Sequence, residues 1–353
     1  MVPFPSSAPV LLAAPLGIVA STLRSLRPGE TFTEHFRTGA LTLLRKTPSE
    51  CDALGTLFED PDASFHVRMS VLDLLSEAGT FDAQAVMRRL LSLGSARSLP
   101  PTFAAFLQRL GAVQHPDGPT IRFLMTTYME SRREASEVMA ACAYALGAAC
   151  GQVAAEGDVE AAARASHPLR CDLEQTTVAA EKSALLAALG NVGLPSDAPL
   201  VLRFLYDEDV WVRAAAALAC RKMETPEVRV RLVEALSDRE PAVQRSALHA
   251  LSLRALEEAD VERVAEQVVK GRICAALDGD VLHFLMDKTA RASCGSGGFV
   301  DAAVRVLLGR VPSHESGGSP SGEHRLARTS APPSMASQLR PLSVHPLAVV
   351  RRR

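Results

Sequence analysis

From Thr33 to about Arg310, apolar residues recur three and four positions apart in stretches broken by short polar turns. This is the period of helices that bury one face. Val212, Ala216, Ala219 and Met223 form one such face, with small residues in its middle where a second backbone can come close. Val228, Leu232, Val233 and Leu236 form the next. The break between them sets Thr225 before Pro226. A hydroxyl that accepts from a free N–H, followed by a residue that has no N–H, predicts a helix start at Pro226. No single helix of this kind can hide its face alone, so the pattern predicts about seven or eight helix pairs, each covered by the next.

The pairs repeat. Leu205, Asp207, Val212 and Ala216 recur 31 residues later as Leu236, Asp238, Val243 and Ala247, a period that fits two helices and two turns. The same offset carries Ala188 to Ala219 and Leu202 to Val233, which extends the period upstream. A looser recurrence is a helical run meeting glycine, at Gly79, Gly111, Gly147 and Gly190. Each is predicted to end its helix in the left-handed conformation. Between Cys142 and Ala180 the rhythm is least regular, because Gly157, His167 and Pro168 cut it into shorter pieces. Residues 1–31, nearly uncharged and interrupted by prolines, read as a poorly structured lead-in to a solenoid over 32–310. Residues 311–353, rich in Ser, Pro, Gly and Arg, have no helical period and read as a disordered tail.

Composition sharpens this picture. Hydrophobic residues make up 47% of the chain but aromatics only 5%, and the apolar set leans on Ala, Leu and Val, which suits close helix packing better than pleated sheet. A net charge of −2 gives no bulk positive field for nucleic acid or an anionic membrane surface. The seven cysteines include no CxxC pair, and Cys142, Cys150 and Cys220 lie in Ala/Leu-rich helical runs. Buried free thiols and a reducing, cytoplasmic compartment are expected, without a disulfide framework or a zinc site. The apolar segment Pro9 to Ala20 meets its first positive charge only afterwards, at Arg24. That order is the reverse of a signal peptide's, so secretion is the lesser expectation. No stretch reads as the ~18 to 20 apolar residues of a transmembrane segment.

The run from Asp209 to Leu218, with Val212-Arg213 and Ala216 in place, resembles the D-x-x-V-R-x-x-A-x-x-A-L pattern of HEAT-repeat proteins. The resemblance implies an all-α fold, a right-handed α-α superhelix (HEAT-like solenoid) in which the motif arginine lies along the stack and bonds neighbouring turns. Glu240 to Leu251 meets the pattern in part, with Gln244 where the arginine stands, which implies a looser interface there. Over about Phe65 to Leu251, Leu74 to Thr80 and Leu186 to Ser196 also look like the helical superhelix of large, vitellogenin-like lipid transfer proteins. In that family the superhelix is a scaffold and sheets outside it build the lipid cavity. No sheet-forming region of useful length is present here, so lipid carriage is not implied.

Candidate chemistry is sparse. Asp207-Glu208-Asp209 reads as a turn whose acids cap the following helix rather than as a cation site. The nine histidines make no H-E-x-x-H and no i, i+4 ligand pair. Metal hydroxylases resembling deoxyhypusine hydroxylase rely on repeated His-Glu dipeptides, and His314-Glu315 in the tail stands by itself. Gly295 to Gly298 lacks the frame of a phosphate loop or nucleophile turn and reads as a linker. The arginine pairs Arg88-Arg89 and Arg132-Arg133 sit beside acids and read as solvated faces. No catalytic, cofactor or metal residue is nominated. The candidate partner-binding set is Trp211, the single tryptophan, with Tyr206, and Arg203, Arg213 and Glu234 as polar companions. The expectation is a non-enzymatic scaffold for a protein or an extended peptide. The alternatives are an enzyme accessory resembling HEAT-like phycobilin lyases and a lipid-transfer accessory.

Overall fold

The computed structural model describes residues 17–25, 33–93, 100–134, 136–291 and 298–310, all within one compact unit. The predicted tail, Cys294, Gly295 to Gly297 and most of the predicted lead-in lie outside these residues. The helices are α1 (Ile18–Arg24), α2 (Glu34–Lys46), α3 (Pro48–Glu59), α4 (Phe65–Ala78), α5 (Phe81–Ser92) and α6 (Pro100–Gly111). They continue as α7 (Gly118–Ser131), α8 (Ser136–Ala155), α9 (Val159–Ala165), α10 (His167–Gln175), α11 (Ala179–Val192) and α12 (Ala198–Arg203). The last are α13 (Val210–Ala219), α14 (Pro226–Ala235), α15 (Pro241–Ser252), α16 (Glu258–Val269), α17 (Asp278–Arg291) and α18 (Gly298–Arg310). The described residues contain no strand.

The helices form two layers. In one, α2, α4, α6, α8, α11, α13, α15 and α17 each pack on the next. In the other, α1, α3, α5, α7 and α9 follow in succession, and α12, α14, α16 and α18 continue the row. One apolar core runs between the layers from Val19 to Leu307, and the fold is an α-α solenoid. The predicted faces are inside it: Val212, Ala216, Ala219 and Met223 are fully buried, as are Val228, Leu232 and Leu236. Caps start the helices where the sequence places them. Thr225 accepts from the Val228 N–H ahead of Pro226, and Asp209 accepts from the N–H groups of Trp211 and Val212.

The predicted glycine ends divide. Gly79 does close α4 in the left-handed conformation, at φ 67°. Gly147 and Gly190 do not end anything: α8 and α11 run through them, and the left-handed cap of α11 is Gly193, at φ 73°. These two, and Gly111, which is the last residue of α6 but is not left-handed, mark helix crossings instead. A Cβ on Gly190 would stand 2.5 Å from Ala219 Cα, and one on Gly111 2.5 Å from the Ala145 carbonyl oxygen. At Gly147 and Gly151 a Cβ would overlap the carbonyls of Ala188 and Asn191. Four consecutive helices of one layer, α6, α8, α11 and α13, thus touch backbone to backbone through small residues.

Two further expectations are corrected. The lead-in contains α1, whose Val19, Ala20 and Leu23 are buried. The buried Glu50 carboxylate holds its first turn, accepting from the N–H groups of Ile18 at 3.1 Å and Val19 at 3.2 Å. The Pro9 to Ala20 run had hidden this helix, because α1 depends on an acid more than thirty residues away. Furthermore, one segment does have the length and composition of a membrane span: Glu137–Ala155, 19 residues with mean hydropathy 1.5. Half of it is buried within the stack, against α6, α7 and α11, which is the ordinary cause of such hydropathy in a core helix.

Candidate functional site

At the turns leading into α11, α13 and α15, each repeat reaches for the next. Lys182 on α11 pairs with the Asp207 carboxylate at 2.8 Å. Arg213, one period on, donates through Nε to Asp238 at 2.8 Å and through one terminal nitrogen to the carbonyls of Asp207 and Glu208, at 2.9 and 3.0 Å. Gln244 continues the line: its amide nitrogen donates to the Asp238 and Arg272 carbonyls at 2.7 and 3.1 Å, and its oxygen accepts from the Cys274 N–H at 2.8 Å. The interface expected to be loose at Gln244 is therefore closed, because one amide supplies both a donor and an acceptor. Similar ties stand upstream, where Arg88 pairs with Asp117 and Arg170 with Asp197. Arg88 and Arg132, read as solvated, bridge to acids in this way, Arg132 reaching Asp172 at 2.7 Å.

The candidate partner-binding residues separate along this edge. Arg213 is buried, and its guanidinium is committed to the stack. Its placement on an outer surface is corrected for that reason. Tyr206 and Trp211 stand out into solvent, 66% and 46% exposed. Arg203 and Glu234 are exposed as well. The nearest polar link among these side chains runs through Arg231, which donates to the Tyr206 hydroxyl at 3.1 Å and pairs with Glu234 at 3.0 Å. Arg231, which by its spacing beside Arg229 reads as part of a solvated helix face, faces Tyr206 from the next repeat. Of the candidate set, Tyr206 and the Arg213 head line an open cavity of about 490 Å³, together with Leu205, Asp207, Glu208, Asp238 and Arg239.

A second cavity of about 240 Å³ opens where α7 and α8 meet α10 and α11. Its buried wall is Tyr128, Met139 and Leu185, and its rim carries Arg132, Glu134, Asp172 and Glu181. The Tyr128 hydroxyl donates to Asp172. Burial, and then that carboxylate, hold the phenol well above its ordinary range, so it stays a proton donor. Among the described residues, no three of His, Cys, Asp or Glu come together as metal ligands.

Four of the described cysteines are buried, and burial pushes the thiols of Cys51 up to about 11 and of Cys150 and Cys220 up to about 12. Cys171 differs. It is partly exposed on α10, and its Sγ lies 3.3 Å from Nε2 of His167, one helical turn earlier. Helical spacing shows this i, i+4 pair in the sequence, but only when cysteine is counted beside histidine.

A family description of HEAT repeats matches residues 173–268. Over those residues the chain carries HEAT repeats, and the two-layered stack of helices continues on either side of them as an α-α solenoid. No curated protein matches it in sequence. A solved structure described as lipid–protein interactions in lipovitellin is similar over 84% of this chain and 32% of its own, with 16% identity and a TM-score of 0.55. The chain spans about a third of that protein's length, and at this identity the likeness shows the fold alone. Two more similar structures are the CpcE and CpcF complex of phycocyanin lyase from Nostoc sp. PCC7120 and human deoxyhypusine hydroxylase in complex with glycerol. The first has 17% identity over 81% of this chain and 97% of its own, at a TM-score of 0.43. The second has 19% over 76% and 97%, at 0.35.

Proposed function

We propose that this chain is a non-enzymatic scaffold, working in the cytoplasm, that holds a protein or an extended peptide against the face carrying Tyr206 and Trp211. The observation that carries this reading is the exposure of those two rings. In a chain with 5% aromatics, leaving the only tryptophan and one of three tyrosines partly in solvent forgoes a fraction of the roughly 1.5 to 3 kcal/mol that full burial of a large apolar side chain contributes. Tyrosine and tryptophan recover such a cost at interfaces, where they dominate binding energy. The platform beneath them is stiff, because Lys182, Arg213 and Gln244 tie consecutive turns together, and a rigid patch loses little entropy on binding.

The test is affinity capture with the full chain and with a Tyr206→Ala/Trp211→Ala double variant, followed by calorimetry on purified proteins. A partner that binds the native chain should bind the double variant at least tenfold more weakly, while thermal melts of the two proteins agree. Partners that bind both equally, or failure to recover any protein, would overturn the proposal.

A further inference from the structure

Beyond its surface, the solenoid carries a nucleophile and a base side by side. Cys171 and His167 share one face of α10, with Sγ and Nε2 3.3 Å apart. Helical geometry sets four-residue neighbours together, and the flanking side chains fix which way the helix is turned. Arg170 points into the stack, donating to Ser166 and to Asp197 at 3.1 Å each. Asp172 accepts from Tyr128 and Arg132. With both neighbours held inward, the face of Cys171 and His167 is left toward solvent, and His167 is exposed.

We infer that Cys171 is a reactive thiol, activated by His167, that forms a mixed disulfide with small soluble disulfides such as oxidised glutathione. The imidazole Nε2 takes the thiol proton, and the sulfur attacks one sulfur of the disulfide. The S–S bond of the reagent breaks as the Cys171–sulfur bond forms, and the departing thiolate takes the proton from the imidazole. One thiol and one disulfide become one mixed disulfide and one thiol, so no further oxidant is required. The other described thiols set the contrast. Cys51, Cys142, Cys150 and Cys220 are buried and out of reach of a charged tripeptide. Cys274 is partly exposed like Cys171 but, among the described residues, makes no contact with a histidine at its sulfur, which makes it the internal control.

The experiment follows oxidised glutathione reacting with the reduced full chain at pH 7, with each cysteine read by mass spectrometry of its peptide. Cys171 should be modified at least about tenfold faster than Cys274, as a positioned base requires. His167→Gln, a change at an exposed site, should bring the Cys171 rate down to that of Cys274. Equal rates at the two cysteines of the native chain overturn the inference without recourse to any variant. A Cys171 rate unaffected by His167→Gln overturns the role of the histidine and with it the pair.

Discussion

The guanidinium of Arg213 joins two repeats at a site almost closed to water, with 8% of its own side chain and 14% of that of Asp238 exposed. Removing one partner strands the other's charge. Arg213→Ala is therefore expected to cost about 3 to 5 kcal/mol in urea unfolding, and Arg213→Met with Asp238→Asn less than that, since no uncompensated charge remains. Asp207 gives the same ladder a pH dependence. Burial by itself would raise its carboxyl, but the Lys182 ammonium, the Asp209 N–H and the Arg213 charge together hold it below the ordinary carboxylate range. A carboxyl depressed on folding adds stability that is complete above its unfolded value and lost as pH falls through its folded value. Lys182→Met should flatten the loss of stability on acidification below about pH 4, measured by urea midpoints across that range. The arginine of this ladder is legible in the sequence because the family pattern marks it. The glutamine is not, since its partners lie on a turn 28 and 30 residues further on and only folding sets them against it.

At the scale of helices, a glycine's meaning depends on what passes it. Gly39 lies within α2 with open space where a Cβ would go, whereas Gly147 lies within α8 against the Ala188 backbone. Gly39→Ala should stabilise the protein by about 0.5 to 1 kcal/mol, the helix-propensity difference. Gly147→Ala should destabilise it by about 1 to 3 kcal/mol, because a carbonyl cannot move aside as a side-chain tip can. Thermal melts of the two variants should shift in opposite directions. The 31-residue period makes the helices from about Ala184 to Leu251 readable from sequence, with their caps at Asp209 and Thr225. A glycine that closes a helix and one that admits a neighbouring helix follow the same kind of apolar run, as Gly79 and Gly190 do. The run does not distinguish them, and the crossing partner Ala219 lies a full repeat away.

Across the whole molecule, each repeat is covered mainly by its neighbours, so a local change is felt over one or two units and then fades. The candidate site illustrates how this limits sequence reading: Tyr206 and Trp211 are marked by their rarity, but Arg231 reaches the Tyr206 hydroxyl only because the next pair stacks on its own. The amino-terminal end of the described stack offers the clearest test of locality. Among the described residues α1 has a neighbour in its layer on one side, α3, and its first turn is held by Glu50. Glu50→Ala removes an acceptor from two N–H groups at a helix start, at a cost of about 0.5 to 2 kcal/mol. If stability were shared equally by all repeats, exchange protection would fall everywhere. In a nearest-neighbour stack it should fall in α1 and the facing part of α3, leaving α11 to α15 protected and the Trp211 emission unchanged. Hydrogen exchange resolved by peptide distinguishes the two, and uniform loss of protection would show that the solenoid unfolds as a single cooperative unit.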